Sequence, residues 1–330
     1  MVAPLVSVLV PFFNDAEFIG QALASIRAQS LDDFEVIAAD DRGADGSREI
    51  ALAAAGPDAR FRLVSNPVNL GMTRNWNRAL KEATGTYVVK LDADDVMCPR
   101  MLELLAAELT AHPEVQAVYC RTLSCAADLK PVASYLGERA LLRGRIDPLQ
   151  LHRKPGHEWY RLCFFDIQLW HSDAQMHRRD ELLRMGGWDE RWGCASDTDL
   201  ILRVLEQNRT ITHLPYVGIH YRQRENSVSD RYRKADKLAA EVTRINLASL
   251  GRYRAERGTL NHDLMENWWR LWRNWQALRQ AASRSGRAAD GRSPRETELP
   301  DEPLPTPPFS VVLYGTLRHS ASKLRQRLRP

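Results

Sequence analysis

The cluster Asp92-Ala93-Asp94-Asp95 contains the residues whose types and spacing point most clearly to chemistry. Three carboxylates on so short a segment repel one another, and a hard divalent cation relieves that repulsion best. Mg²⁺ or Mn²⁺ binds one or two such carboxylates and keeps its other positions for phosphate oxygens. The cluster therefore predicts a cation site. The alternative is a solvated acidic turn or a helix start, where the helix dipole favours acidic side chains.

Two other segments contain groups that could recognise a nucleotide. In residues 40–47 (DDRGADGS), a carboxylate could accept hydrogen bonds from a ribose hydroxyl or a base N–H. In residues 69–75, a turn at Gly71 opens a helix whose first turn carries Arg74, and free N–H groups with a guanidinium suit a diphosphate. Ordinary turn chemistry is the alternative for the first segment, and a capped helix with an exposed arginine is the alternative for the second.

Alternating strands and helices must position these segments. Apolar runs predict the strands, and apolar residues with helical periodicity predict the helices between them. The predicted strands span residues 5–12, 34–39, 61–65, 87–91 and 115–119, and the predicted helices span 15–29, 45–55, 73–83, 99–110 and 197–207. This order implies an α/β fold with a mostly parallel sheet, in which ligands bind at the carboxyl ends of the strands. That rule selects residues 11–15, 40–45 and 92–95.

Four sequence blocks in this order resemble the family 2 inverting glycosyltransferases. The blocks are VSVLVPFFND, VIAADDRGADGS, NLGMTRNWNRALKEATGTYVVKLDADD and MHRRDELLRMGGWDERWGCASDTDLILRV. The resemblance covers roughly residues 6–230 and implies the Rossmann-like GT-A fold of nucleotide-diphospho-sugar transferases. It also implies single displacement from a nucleoside-diphosphate sugar, a UDP-sugar by family frequency, with Mn²⁺ or Mg²⁺ as cofactor. The acceptor would be a hydroxyl group of a surface glycan or a lipid-linked glycan.

The resemblance also implies roles at the matching positions. Phe13 would lie against the base, and Asp40 would contact the base or the ribose. Asp94 would bind the metal, with Asp92 on the ribose or on a metal-bound water, and His220 is a candidate third metal ligand. The other candidate donor-site residues are Pro11, Asn14, Asp41, Asn69, Gly71, Arg74, Ala93 and Arg222, and the candidate acceptor-site residues are Gly187, Trp188 and Asp189.

A structural role is the alternative for several of these residues. Phe13 would then be a core phenylalanine, and Trp188 would be a core tryptophan in a tight turn rather than a platform for a sugar ring. His220 would be a structural histidine, and Arg222 would be a surface arginine.

The resemblance places the catalytic base at Asp197. The family usually has Glu-Asp at this point, whereas this sequence has Ser196-Asp197. Ser196 and Asp199 also have the spacing of a capping box at the start of a helix. In that alternative, Asp197 is a first-turn residue of low proton affinity, because the helix dipole favours its charged form. Asp189 is the next carboxylate to consider.

The C-terminal region differs in composition from the rest of the chain. Residues 251–330 carry 15 basic and 8 acidic side chains, a net charge of +7, whereas residues 1–250 carry 31 and 34, a net charge of −3. Trp and Leu residues form a stripe on a predicted helix at 264–278. That stripe could bind a membrane interface, pack on the catalytic domain or join a second subunit into a homo-oligomer. The basic end suits an anionic membrane.

The sequence therefore divides into five predicted parts. They are a donor-binding half (1–115), an acceptor-binding half (116–232), a helical region (233–285), a linker (286–308) and a basic amphipathic tail (309–330). Five scattered cysteines lack metal or redox spacing, and no apolar run reaches the roughly 20 residues that span a bilayer. We expect a cytoplasmic protein, peripheral on the inner face of the cytoplasmic membrane where the tail binds it.

Three other functions share some of these features. A nucleotidyl- or phosphoryltransferase needs similar phosphate and metal groups, but the sequence has no Walker lysine loop. A catalytically inactive nucleotide-binding or scaffold protein of glycan assembly is favoured by Ser196 in place of glutamate. A nucleic-acid binder fits the basic tail but not the net charge of −3 in the first 250 residues, so we expect no nucleic-acid partner.

Overall fold

The computed structural model describes residues 3–134, 147, 149–165, 170–225, 227–235 and 237–257. The predicted Trp and Leu stripe at 264–278, the linker and the basic tail lie outside these residues.

Ten strands and nine helices occur in the described part of the chain. The strands are β1 (Val6–Phe12), β2 (Phe34–Asp40), β3 (Phe61–Ser65), β4 (Tyr87–Lys90), β5 (Val96–Met97), β6 (Val115–Cys125), β7 (Pro131–Ser134), β8 (His152–Pro155), β9 (Gln175–Arg178) and β10 (Thr210–Arg222). The helices are α1 (Ile19–Arg27), α2 (Ser47–Ala55), α3 (Met72–Glu82), α4 (Met101–Ala111), α5 (Gly156–Phe165), α6 (Arg179–Arg184), α7 (Ser196–Glu206), α8 (Val228–Lys234) and α9 (Lys237–Arg257).

A single sheet joins all ten strands, with the main order β3-β2-β1-β4-β9-β6-β10-β5. The first four strands run parallel, as the alternation of strands and helices predicted. Beyond β4 the sheet is mixed, because β9 runs antiparallel to both β4 and β6, whereas β6 and β10 run parallel. β9 therefore brings a distant part of the sequence to the end of β4.

The central strands are buried on both faces of the sheet, which explains their aliphatic sequences. All seven residues of β1 and all four of β4 are buried. Helix α1 packs its apolar stripe onto this core through Ile19, Ala22, Leu23 and Ile26. The helix begins four residues later than its predicted start, because residues 13–18 form the turn that leads from β1 into α1.

Strand β6 is longer than the five residues predicted for it. It extends to Cys125 because it pairs with β10 along its whole length, with irregularities in the register. The described residues form two compact units that divide between Asp230 and Arg231, and the sheet belongs to the first. Of the helices described, none combines the length and the apolar character needed to cross a membrane.

Candidate active site

The carboxyl end of β4 carries a buried lysine that binds two aspartates. The Nζ atom of Lys90 lies 2.5 Å from Oδ1 of Asp92 and 2.7 Å from Oδ1 of Asp173. The lysine side chain is 1% exposed, and its Nζ lies 4.5 Å from the centre of the Trp76 ring. Burial opposes the charged form, but the two carboxylates raise the pKa of Lys90 above its ordinary value. Lys90 is therefore a permanent positive charge beneath the acidic cluster.

Asp173 comes from a segment that sequence analysis did not select. It is fully buried just before β9, and its Oδ2 accepts the backbone N–H of Asp92 at 2.7 Å. Burial opposes ionisation, but Lys90 holds the pKa of Asp173 below its ordinary value. Burial, with the nearby Asp173 charge, raises the pKa of Asp92. Lys90 is the signal that could have revealed Asp173, since a lysine in a fully buried strand needs a carboxylate partner.

Arg224, which sequence analysis did not select, binds Asp94. The Nε atom of Arg224 lies 2.7 Å from Oδ2 of Asp94, and its Nη2 lies 2.8 Å from Oδ1 of Asp15. Asp15 belongs to the loop after β1, and its Oδ2 accepts the N–H of Phe13 at 3.1 Å. Burial raises the pKa of Asp15, and the neighbouring Asp94 adds to that effect. Arg224 thus joins the loop after β1 to the loop after β4.

Arg222, which sequence analysis did select, is buried and bonded to the protein. Its Nε donates to the carbonyl oxygen of Asp94 at 2.7 Å, and its Nη2 donates to Oε1 of Gln21 at 2.5 Å. Its Nη1 donates to the carbonyl oxygen of Ala127, and its backbone N–H donates to Oδ1 of Asp95 at 2.8 Å. Arg222 is 4% exposed, so the alternative of a surface arginine is wrong. These bonds fix the backbone of the acidic cluster.

One group of three side chains in the described residues has the composition and spacing of a metal site. The group is Asp95, His171 and Asp173, whose ligand atoms all lie within 4.8 Å of one another. Oδ2 of Asp95 is buried without a hydrogen-bond partner in the described part of the chain, and burial raises the pKa of Asp95. Burial lowers the pKa of His171, which favours the neutral ring that a metal needs. His220, partly buried on β10, does not belong to this group.

The loops that follow β1 and β2 contact each other at the predicted donor site. Oδ1 of Asn14 accepts the N–H of Ala44 at 2.9 Å. Gly43 allows this approach, because a Cβ atom there would lie 2.8 Å from the backbone nitrogen of Asn14. Pro11 is buried within β1, whereas Phe13 beyond the strand is 46% exposed. The alternative of a core phenylalanine at Phe13 is therefore wrong.

The two aspartates at the end of β2 have different partners. Both are buried, and Oδ1 of Asp40 accepts the N–H of Arg42 at 2.9 Å. The carboxylate of Asp41 accepts the N–H groups of Leu70 at 2.8 Å and of Gly71 at 2.9 Å. Asp41 therefore holds the turn at Asn69–Gly71 that leads into α3, where Oδ1 of Asn69 also accepts the N–H of Gly71 at 3.1 Å.

The Gly-Gly turn, formed by Gly186 and Gly187 after α6, packs against α3. The side-chain amide of Asn77 donates to the carbonyl oxygen of Trp188 at 2.7 Å and accepts its N–H at 2.9 Å. Gly187 has a φ of +67°, and a Cβ atom there would collide with Oδ1 of Asn77. Trp188 is 3% exposed and packs edge-on against Trp76, with ring centres 5.7 Å apart. Trp188 thus lies in the core and supports the turn.

A pocket of about 350 Å³ adjoins this turn. Its lining comes from Asn77, the segment 185–190 and Arg203. Arg74 lies beside the pocket, where its Nε is 3.1 Å from Oε2 of Glu190. Its guanidinium is therefore paired with a residue of the pocket lining.

The carboxylate of Asp189 in this lining is paired with Arg191 at 2.8 Å. Burial opposes ionisation, but hydrogen bonds from Arg191 lower the pKa of Asp189. A carboxylate with a lowered pKa is less suited to accept a proton than one with a raised pKa.

Asp197 lies in the first turn of α7 and faces the acidic network. Burial raises the pKa of Asp197 to about 6, although the Lys90 charge acts to lower it. The low proton affinity expected from the helix dipole is therefore wrong, because loss of water outweighs the dipole at this site. Oδ1 of Asp197 is buried and has no hydrogen-bond partner in the described residues.

The capping-box alternative for Ser196 and Asp199 is also wrong. Ala195 is the N-cap residue of α7, and no side chain caps the helix. Asp199 instead pairs with Nε of Arg203 at 2.6 Å, and Arg203 donates to the carbonyl oxygen of Gly187 at 2.7 Å. The pair therefore supports the Gly-Gly turn.

The chain has the GT-A fold of glycosyltransferases. A crystal structure of residues 1–349 of TarS from S. aureus in complex with UDP matches with a TM-score of 0.57 and 18% identity, over 81% of this chain and 70% of that one. Residues 7–166 match the sequence model described as "Glycosyl transferase family 2". The chain carries a glycosyltransferase domain of family 2.

Curated relatives agree with this assignment. The chain is 38% identical over 229 residues to the uncharacterized glycosyltransferase EpsJ from Bacillus subtilis, which covers 69% of this chain and 63% of EpsJ. It is 26% identical over 203 residues to a chondroitin synthase from Pasteurella multocida. This alignment covers 62% of this chain and 19% of the synthase. The chain thus spans less than two thirds of the length of these relatives.

Proposed function

We propose that this chain is an inverting glycosyltransferase that moves a sugar from a UDP-sugar to a hydroxyl group of a surface glycan or lipid-linked acceptor. The observation that carries the proposal is Asp197, whose pKa is raised by burial to about 6 and which lies in the field of Lys90. Lys90 also holds Asp92 of the acidic cluster, so the base and the donor loop share one charged network. A carboxylate with such a pKa is suited to accept a proton near neutral pH.

The reaction we propose is a single displacement. The acceptor hydroxyl oxygen forms a bond to the anomeric carbon, while the bond from that carbon to the diphosphate oxygen breaks. The electron pair of the broken bond leaves with the nucleoside diphosphate, and the hydroxyl proton passes to Asp197. Attack from the side opposite the leaving group inverts the configuration.

Donor recognition would use the loops after β1, β2 and β3. Phe13 is exposed and could pack against the base, while Asp40 ends the neighbouring strand. The names of similar proteins support the substrate class. TarS has been crystallised with UDP and with UDP-GlcNAc, and two similar proteins of Pasteurella multocida are a chondroitin synthase and a hyaluronan synthase.

A divalent cation, Mn²⁺ or Mg²⁺, fits the excess of acidic groups. In the described part of the site, six carboxylates adjoin three basic side chains. The carboxylates are those of Asp15, Asp92, Asp94, Asp95, Asp173 and Asp197, and the basic groups are Lys90, Arg222 and Arg224. We propose Asp94 as the principal ligand, and Asp95 with His171 and Asp173 as the other ligand set to test. The cation would offset charge on the departing diphosphate.

The test is the release of UDP from a panel of UDP-sugars, with Mn²⁺ or with EDTA. We expect release with Mn²⁺, none with EDTA, and no rescue of Asp94→Ala by added Mn²⁺. If the second ligand set holds the cation, added Mn²⁺ should instead fail to restore UDP release by His171→Ala. Full activity in EDTA would remove the metal role. UDP binding without turnover of any donor would favour the scaffold alternative, and release of pyrophosphate would favour a nucleotidyltransferase.

The proposal extends to location through the basic tail. Residues 309–330 include five Lys and Arg side chains, each worth about 1 kcal/mol near an anionic surface. Deleting the tail should weaken sedimentation with anionic vesicles at moderate salt while UDP release from soluble donor continues. Equal vesicle binding by both forms would refute a peripheral position on the inner face of the cytoplasmic membrane. The stripe at 264–278 stays a prediction of membrane contact, packing or a homo-oligomer.

A further inference from the structure

Arg224 binds the carboxylate of Asp94, which is proposed above as the principal cation ligand. Its guanidinium contacts Oδ2 of Asp94 at 2.7 Å and Oδ1 of Asp15 at 2.8 Å. The Arg224 side chain is 27% exposed, and it covers the ring of Phe18 at 5.1 Å from the ring centre. A monovalent guanidinium therefore already neutralises part of the charge that a divalent cation would neutralise.

Arg222 and Arg224 flank the same acidic loop but are held differently. Arg222 donates to two backbone carbonyl groups and to the side chain of Gln21, so it could move only if the loop moved as well. The guanidinium contacts of Arg224 are with two carboxylates, which are the groups that attract a divalent cation most strongly. A partly exposed ion pair is weak enough to be exchanged for a metal–carboxylate bond.

We propose that Arg224 occupies the place of the cation at Asp94 in the free protein and turns to the donor's diphosphate when the cation binds. This inference rests on the proposed cation site at Asp94. The cation and the guanidinium repel each other and compete for the same carboxylate oxygen. After displacement, the guanidinium remains within side-chain reach of the site. There it can form charge-assisted, bidentate hydrogen bonds with the diphosphate of the donor.

The test compares Arg224→Gln with wild type and with Arg100→Gln, which removes the same charge from an exposed pair with Glu103. The dissociation constant for Mn²⁺ is measured by calorimetry without nucleotide, and that for UDP at saturating Mn²⁺. Arg224→Gln should bind Mn²⁺ about three- to tenfold more tightly, because the competing charge is gone. It should bind UDP about tenfold more weakly, because a charged hydrogen-bond donor to the diphosphate is lost. Arg100→Gln should change neither constant.

Unchanged or weaker Mn²⁺ binding by Arg224→Gln overturns the inference, and so does unchanged UDP affinity. Arg224→Lys keeps the charge but loses the planar guanidinium that donates two parallel hydrogen bonds, so it should show both changes at smaller size. It replaces Arg224→Gln in the test if the glutamine variant does not fold. Asp94→Asn separates this inference from the proposed function. Suppose that wild type binds Mn²⁺ and that Asp94→Asn does not. If Arg224→Gln then has the same dissociation constant for Mn²⁺ as wild type, only the inference fails. If neither wild type nor Arg224→Gln binds Mn²⁺, the cation site and the inference both fail.

Discussion

Lys90 and Asp173 form a buried ion pair of 2.7 Å although 83 residues separate them in the sequence. The pairing of β9 with β4 explains it. Val89 on β4 is opposite Met176 on β9, so the antiparallel register carries the segment before β9 just past the end of β4. Asp173 then accepts the N–H of Asp92 as well, at 2.7 Å. The position of the acidic cluster therefore depends on a strand from the second half of the sheet.

Removing the lysine should destabilise the protein strongly. Lys90→Met leaves the buried Asp173 carboxylate without its cation, and breaking a buried pair in this way costs about 3–5 kcal/mol in the free energy of unfolding. Urea denaturation measures the loss. Lys90→Met combined with Asp173→Asn should recover part of the stability, because no uncompensated charge remains at position 173. A loss below about 1 kcal/mol in the single variant would contradict the importance of the pair.

Replacing the proposed base should remove turnover but not donor binding. Asp197→Asn keeps the shape of the side chain and loses the proton acceptor, which typically costs about 10²–10⁴ in rate. Turnover and UDP affinity are measured on the same preparation. Asp180→Asn is the matched control, since Asp180 is exposed on α6 and pairs only with its neighbour Arg179 among the described residues. If Asp197→Asn keeps more than about a tenth of wild-type turnover, Asp197 is not the base and Asp189 is the next to test.

The raised pKa of Asp197 should also appear in the pH dependence of stability. The pKa of this group is about 6 in the folded protein against an ordinary value of 3.8. Between these values the folded state binds the proton more tightly than the unfolded state, so wild type loses stability as pH rises from about 4 to 6. Asp197→Asn avoids that loss and should become the more stable form at pH 7.

Unfolding in urea with EDTA at pH 4 and pH 7 measures this difference. The gain should be smaller than the roughly 3 kcal/mol that two pKa units represent, because Asp197 is partly exposed and water screens its charge. At pH 4 the two proteins should have nearly equal stability. A gain that does not depend on pH would show that the effect is not the ionisation of Asp197.

The Gly-Gly turn allows a matched pair of substitutions. Gly186 and Gly187 both have positive φ, of +81° and +67°, so alanine strains the backbone at either by roughly 1–2 kcal/mol. Only at Gly187 would the new Cβ collide with Asn77, whose amide holds both backbone groups of Trp188. Gly187→Ala should therefore be less stable than Gly186→Ala by about 1–3 kcal/mol in urea unfolding. Equal losses would show that the contact with Asn77 has no energetic importance.

Much of the parallel part of the sheet, β1 to β4, could be predicted from the sequence. The apolar runs predicted β1 to β4, and most clearly β1 and β4, in which every residue is buried. The polar segments after β1, β2 and β4 could be located because ligand sites lie at the carboxyl ends of parallel strands. The strand predictions were confirmed because each depends on a short stretch of neighbouring residues.

The tertiary structure alone decided which charged groups meet. Arg224 binds Asp94 across 130 residues of sequence, and Lys90 binds Asp173 through the antiparallel strand β9. The burial of Trp188 and the raised pKa of Asp197 likewise depend on how α3, α7 and the Gly-Gly turn pack. Ion pairs and desolvation are set by distance and by access to water, and neither quantity follows from residue spacing along the chain. The sequence by itself thus determined the strands and the loops that border the site, and packing determined the charges and partners within it.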